Sequence, residues 1–248
     1  MTVYWNGINI NGSSLSTNGD YGYVDGNILK YCVFEYSYQP VCAKTDIYVT
    51  KCIFENNMFN GWDYKGCPRF EDAYNVVLID NEFHEGIYMY SSGLFVNNEI
   101  LGGTVDIYRN PIVRNNRFFN STIYLNGASY CAENVFEMSN ISYVSYDVIV
   151  NLNNFIDCSS PIIQNVYGYE KNRTIDFTNN YWGAANTEEL NLKGNKSNIS
   201  FITDYYDDFN KAIVDYSTWL ENPNEYAGYK GDGFILVDYA PKIKLSID

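Results

Sequence analysis

The chain has one histidine, His84, and no Cys-x-x-Cys pair among its six cysteines, so it cannot assemble the Cys/His sets that hold zinc. Positive charge is scarce: 16 Lys and Arg stand against 30 Asp and Glu, for a net charge of −14. Such a chain lacks the clustered Lys and Arg that grip phosphate backbones, and anionic membranes repel it. No stretch approaches the roughly 20 apolar residues of a membrane span. No basic segment followed by an apolar one comes after Met1, as a secretory leader requires. Nucleic acid partners and membrane insertion are therefore not expected. The opening TVYWNGINI reads as a strand already under way, which suggests a piece of a longer polypeptide. Apolar residues are plentiful at 46%, with 25 tyrosines, so a chain of 248 residues can fold around a continuous core.

A short phrase recurs: an apolar strand, then Asn-Asn or a close variant, any residue, and Phe, Ile or Trp. It reads LKYCVF (29–34), VTKCIF (49–54), LIDNEF (78–83), FVNNEI (95–100), VRNNRF (113–118), CAENVF (131–136), NLNNFI (151–156) and FTNNYW (177–182). The repeating position is Cys32, Cys52, Asn81, Asn98, Asn116, Asn134, Asn154 and Asn180, with spacings of 20, 29, 17, 18, 18, 20 and 26. A repeat near 18 residues is too short for helix-pair repeats or propeller blades. It suits a coil of three short strands, and each unit supplies period-2 runs of Val, Ile, Tyr and Phe punctuated by Asn and Gly. Two residues after the repeating position runs an aromatic column: Phe34, Phe54, Phe83, Ile100, Phe118, Phe136, Ile156, Trp182. Three residues before it runs an apolar one: Leu29, Val49, Leu78, Phe95, Val113, Cys131, Phe177, with Asn151 the exception.

Stacked coils lie about 4.8 Å apart, so equivalent side chains become vertical neighbours. Asn can then pair amide to amide up the stack, and it tolerates left-handed turn backbone. Cys32 and Cys52 face each other on adjacent coils, either bridged or as two stacked thiols. The expected fold class is all-β: a right-handed parallel β-helix of eight or nine coils with an irregular C-terminal cap. Residues 1–182 hold the coils, with a projecting insertion at 57–75, and 183–248 form the cap, with short helices expected at 186–192 and 206–220.

A second strand follows each aromatic: IYMY (87–90), VDIY (105–108), IYLN (123–126) and ISYV (141–144). Alternation turns Ile87/Met89, Val105/Ile107, Ile123/Leu125 and Ile141/Tyr143 inward. Tyr88/Tyr90, Asp106/Tyr108, Tyr124/Asn126 and Ser142/Val144 then face out. Phenol rings interleaved with a carboxylate and an amide suit sugars, whose C–H faces stack on rings while hydroxyls bond to polar tips. Tyr88, Tyr90, Tyr108, Tyr124 and Asn126 are the candidate substrate-binding residues. The same pattern also fits tyrosines that only pack against one another.

Nearby ionisable groups allow two chemistries. Hydrolysis of a glycosidic bond needs two carboxyls flanking it, for which Glu85 with Asp106 is preferred and Glu82 with Glu99 the alternative. Elimination beside a uronate carboxylate needs a base such as Arg109, Lys65 or His84, with a cation or Ca²⁺ on the developing charge. The candidate catalytic set is Glu85, Asp106, His84 and Arg109; Asp63, Arg69, Glu71 and Asp72 of the insertion lie close in sequence to the expected face. No resident metal or cofactor is required, although a column of Glu35, Glu55, His84, Glu137 and Asp157 would have some Ca²⁺ affinity.

With its Asn column, its opening WNGI (5–8) and its closing NNYWGAANTEELN (179–191), the chain resembles the right-handed parallel β-helix superfamily. That group includes pectate lyases, polygalacturonases, phage tailspike depolymerases and repetitive microbial surface proteins. The resemblance implies an extracellular or cell-surface protein that binds, and in some members cleaves, an extended polysaccharide. The alternative it implies is a non-catalytic structural or adhesive module of a surface protein, and a trimeric phage-spike part is a third reading. The paired-Asp constellation of polygalacturonases and the Asp/Arg-Pro pattern of pectate lyases have no counterpart here.

Overall fold

The computed structural model describes residues 6–12, 15–17, 22–57, 67–127, 130–145, 148–164, 166 and 173–231. Their strands form three parallel sheets of seven, nine and seven strands, together with a small antiparallel hairpin of Ser16–Thr17 with Tyr23–Asp25. Through the regular coils the strand order in each sheet skips by three, which is the signature of a solenoid. One coil shows the plan. Val76–Ile79 lies in the second sheet, Glu82–Phe83 in the third and Gly86–Tyr90 in the first. Gly93–Val96 then re-enters the second sheet beside Val76–Ile79. Six coils contribute a strand to all three sheets, from Ile28–Lys30 to Asn140–Val144. Partial coils extend the stack at both ends, so the count of complete coils is smaller than expected.

The Asn-Asn phrase turns the chain from the second sheet to the third. Its first residue takes left-handed backbone in every coil: Tyr31, Lys51, Asp80, Asn97, Asn115, Glu133, Leu152 and Asn179 all have φ between 52° and 59°. Asn is favoured there because it tolerates positive φ at little cost. The second residue points inward and builds the ladder. Nδ2 of Asn81 donates to Oδ1 of Asn98 at 3.0 Å, Asn98 to Asn116 at 3.1 Å and Asn116 to Asn134 at 3.0 Å. Each Oδ1 also accepts the backbone N–H of the ladder residue below, and each Nδ2 gives its other hydrogen to a carbonyl such as Val49 O or Phe95 O. Amides buried in an apolar tube are thereby satisfied, which is what makes their burial tolerable.

The next rung is Asn153, not Asn154. Asn134 donates to Asn153 Oδ1 and Asn153 to Asn180 Oδ1, at 3.0 and 3.1 Å. The invariant of the phrase is therefore the interval from ladder residue to aromatic, Asn153 to Phe155, and Phe155 pairs in register with Phe136. The shift replaces Asn151 by buried Val150 in the apolar column and Ile156 by Phe155 in the aromatic one. Asn154 faces outward instead.

The aromatic column is a stack of nearly parallel rings: Phe34–Phe54 at 4.8 Å, Phe54–Phe83 at 5.0 Å, Phe118–Phe136 at 4.9 Å, Phe136–Phe155 at 4.8 Å and Phe155–Trp182 at 4.6 Å between centroids. Ile100 interrupts it, and Phe95 from the adjacent column spans the gap to Phe83 and Phe118. Such offset ring contacts add about 0.5–1.5 kcal/mol each beyond area burial.

The long interval between Cys52 and Asn81 is only partly an insertion. Arg69–Glu71 is a regular strand of the first sheet, paired with Gly86–Tyr90. Residues 58–66, including Asp63 and Lys65, lie outside the described residues. Beyond Trp182, helix Ala184–Lys193 buries Leu190 against the end of the core. The helix expected at 206–220 is not formed. Ile213–Asp215 instead extends the second sheet beside Thr174–Asp176, and the Asp204 carboxylate accepts the N–H groups of Tyr206 and Val214. Residues 220–231 then run back along the outside of the turns. Asn154 exchanges two hydrogen bonds with Asn224, Asn115 donates to Tyr226 O, Gly228 N–H donates to Glu133 O, and Asn97 holds Lys230 and Gly231.

Candidate functional site

The outer face of the first sheet carries the tyrosine rows. Gly86–Tyr90 pairs with Gly103–Tyr108, so Tyr88 lies beside Asp106 and Tyr90 beside Tyr108. Gly103–Tyr108 pairs with Ser121–Asn126, so Asp106 lies beside Tyr124 and Tyr108 beside Asn126. Ile87, Met89, Val105, Ile107, Ile123 and Leu125 are buried on the opposite side, as the alternation requires.

The next strand departs from the expected alternation. A bulge after Ile141 makes Ser142 the extra residue, so Tyr143 pairs with Tyr124 and Val144 with Leu125. Val144 is buried and Tyr143 joins the outer row. The bulge spares a phenol from apolar burial, and no sequence periodicity announces a one-residue slip. At the other end, Arg69 extends the row of Tyr88 and Glu71 that of Tyr90. The outer rows therefore run Arg69, Tyr88, Asp106, Tyr124, Tyr143 and Glu71, Tyr90, Tyr108, Asn126. Strict alternation places Tyr143 in the core and the long interval places Arg69 in a loop; both stand in the outer row instead.

The rings pack on one another. Tyr88 lies 5.9 Å from Tyr108 and Tyr90 5.3 Å from it, centroid to centroid. Two guanidiniums cover them: Arg69 over Tyr88 at 5.1 Å and Arg109 over Tyr90 at 4.1 Å. Each cation also has a carboxylate, Glu71 for Arg69 and Asp72 for Arg109 at 3.3 Å. Asp106 is only 2% exposed and accepts Asn126 Nδ2 at 2.9 Å. Burial, and then the Asp106 charge, push the Tyr88 phenol up and the Tyr108 phenol to about 12. Both hydroxyls therefore remain protonated donors at neutral pH.

The expected catalytic set is dispersed. Asp106 and Arg109 border the tyrosine face, but Glu85 and His84 do not. Glu85 sits in a second turn stack, between the third sheet and the first. There Ser37 N–H donates to Asn57 Oδ1 at 2.9 Å, and Asn57 N–H donates to Glu85 Oε1 at 3.0 Å. Ser121 N–H donates to Ser139 Oγ at 2.9 Å farther along. Glu85 Oε2 is buried with no hydrogen bond among the described residues, and burial pushes the carboxyl up. Since Gly86 pairs with Thr104, Glu85 is level with Gly103, three residues from Asp106 along the strand direction and roughly 10 Å away at 3.3 Å per residue. A Cβ at Gly103 would lie 2.3 Å from Glu85 O, so only glycine fits over this turn.

His84 belongs to the outer face of the third sheet, 2.5 Å from Glu82 Oε1. Glu82 and Glu99 are register neighbours, as the alternative pair required. Glu99 is held by Arg117 at 2.6 Å, and Arg117 also binds Glu137 at 2.8 Å. Glu35 pairs with Glu55, but Ile156 rather than Asp157 follows Glu137, so Asp157 leaves the expected acidic column. Among the described residues no three His, Cys, Asp or Glu side chains are grouped to hold a metal ion. Cys32 and Cys52 are free thiols, and burial pushes Cys52 up to about 12 and fully buried Cys131 likewise to about 12. No protein-family model matches the chain, and no curated protein and no solved structure matches it.

Proposed function

We propose that the protein binds an extended polysaccharide along the outer face of the first sheet. The observation that carries this reading is the in-register row of phenols, amide and carboxylate, which repeats coil by coil at about 4.8 Å and so addresses a polymer of repeating units better than a small molecule. Protonated phenols at Tyr88 and Tyr108 supply donors, ring edges supply apolar contact, and Asn126 supplies both a donor and an acceptor. Binding is favoured over cleavage because Glu85 and Asp106 do not face one another. A place at a microbial surface, within the right-handed β-helix superfamily, fits this reading. A second reading, a non-catalytic structural or adhesive module, is favoured by one feature: the faces of Tyr88 and Tyr90 are already covered by guanidiniums.

Electrophoresis through gels containing a panel of polysaccharides separates the two, with parallel assays for new reducing ends and for absorbance of unsaturated products. Retarded migration without products is expected. Tyr108→Ala with Tyr124→Ala should abolish retardation while the chain stays folded, its melting temperature lowered by a few degrees for the lost ring contacts. Retardation that survives the double substitution rejects this face, and none for any glycan favours the structural reading.

A further inference from the structure

Resting on the glycan-binding reading of this face, we infer that it selects neutral glycans, of uncharged hexose or pentose units, and rejects uronate polymers. The rows bring together two cations, Arg69 and Arg109, and three carboxylates, Glu71, Asp72 and Asp106. Among the described residues, Lys44, next to the strand Val41–Ala43 that flanks Arg69–Glu71, brings the local sum to zero. Neither guanidinium stands ready for a sugar carboxylate. Arg69 is engaged by Glu71 and lies over Tyr88; Arg109 is engaged by Asp72 and lies over Tyr90. Recruiting either one for a ligand would release a carboxylate that then repels the same ligand.

Asp106 sets the sign of the centre. It is shielded between Tyr88 and Tyr124, where a charge acts at shorter screening than at an open surface. A uronate unit lying over the Asp106 coil would bring a like charge against it, inside the field of a chain of net charge −14. Neutral sugar hydroxyls meet no such opposition. They can accept from the phenol O–H groups and exchange hydrogen bonds with Asn126, while C–H faces rest on ring edges. The Tyr108 phenol is protonated across the neutral range, as any phenol is, and burial and Asp106 push it farther up, to about 12.

The test compares affinity gels containing neutral polymers (a linear β-glucan, a xylan and a mannan) with gels containing polygalacturonate and alginate. Retardation is expected with at least one neutral polymer. It should be insensitive to salt, lost in Tyr108→Ala/Tyr124→Ala, and at least about tenfold weaker or absent with the uronates. In Asp72→Asn, which suits the positive φ of that position and releases Arg109, retardation by polygalacturonate should appear at low salt. Uronate retardation of the wild-type chain that is lost in the double tyrosine variant overturns the charge selectivity and keeps the site. Failure of Asp72→Asn to gain any uronate retardation also overturns the selectivity argument. Absence of retardation by every polymer overturns the site and the selectivity with it.

Discussion

Two halves of the same turn stack can be compared directly. From Asn81 to Asn180 each turn is closed by a buried amide that satisfies the backbone N–H of the rung below, and each up to Asn153 passes one hydrogen upward, while Asn180 gives both of its to carbonyls. At Cys52 and Cys32 the same place in the turn holds a thiol, with the same left-handed residue before it. Cys52 N–H still donates to Asn81 Oδ1, but Cys52 offers only a weak sulfur acceptor to the turn of Cys32. Each thiol turns back to a carbonyl of its own strand, Thr50 O at 3.4 Å and Lys30 O at 3.5 Å. The coil of Cys32, whose strands end their sheets, is also more open: Val33 and Tyr31 are 56% and 68% exposed, whereas their counterparts from Lys51 and Ile53 onward are half-buried or buried. Backbone pairing alone suffices to stack coils, and the amide adds a link that ties one turn to the next.

The largest effect expected from breaking this difference is in the middle of the ladder. Asn116→Cys converts an amide turn into a thiol turn, removing the acceptor for Asn98 N–H and Nδ2 and the donor to Phe95 O. Unsatisfied buried polar groups cost about 1–3 kcal/mol each, so a loss of about 3 kcal/mol in denaturant unfolding is expected. A change within error would show that the ladder adds nothing to backbone pairing.

The reverse exchange sharpens the comparison with a smaller effect. Cys52→Asn would give Cys32 N–H an amide acceptor and pass a hydrogen to Asn81 Oδ1, for a gain of about 1 kcal/mol. Destabilisation would mean that the open half is shaped for sulfur.

Glu85 provides the third and smallest test, because it is a carboxylate in a stack of Ser and Asn. Its burial raises the folded pKa above the unfolded one, so the folded state holds the proton more tightly. The stability this group contributes is present below the unfolded pKa and is lost as pH rises through the folded value. Glu85→Gln keeps an acceptor for Asn57 N–H without the charge. It should raise the melting temperature at neutral pH, with the gain vanishing as pH falls through the carboxylate range. An equal shift at both pH values would remove the charge from the explanation.

The repeats were legible because each coil meets the same environment, so Asn81, Asn98, Asn116 and Asn134 announce themselves by spacing alone. At 151–156 the letters Asn-Asn mislead, because the register follows the interval from ladder residue to aromatic, which Val150 and Phe155 mark. The tyrosine rows were legible for Tyr88, Tyr90, Asp106, Tyr108, Tyr124 and Asn126 for the same reason. Tyr143 was not, because a bulge moves a side chain to the other face without changing composition. Arg69 was hidden inside an interval long enough to read as a loop. Glu85 looked like a candidate acid because it is next to His84, yet consecutive residues at a corner of the tube belong to different faces.

The amino-acid order alone determined the tube, its inward columns and the sense of its alternation, since these follow from short-range periods of two and about eighteen residues. Only the tertiary structure decided which guanidiniums cover which phenols, that Glu85 turns into the stack, and that residues 220–231 lie along the turns. Those contacts join groups as far apart as Asn97 and Gly231, 134 residues along the chain. Nothing in the local pattern marks such partners, because a repeat records what adjacent coils share, and a contact made once leaves no period.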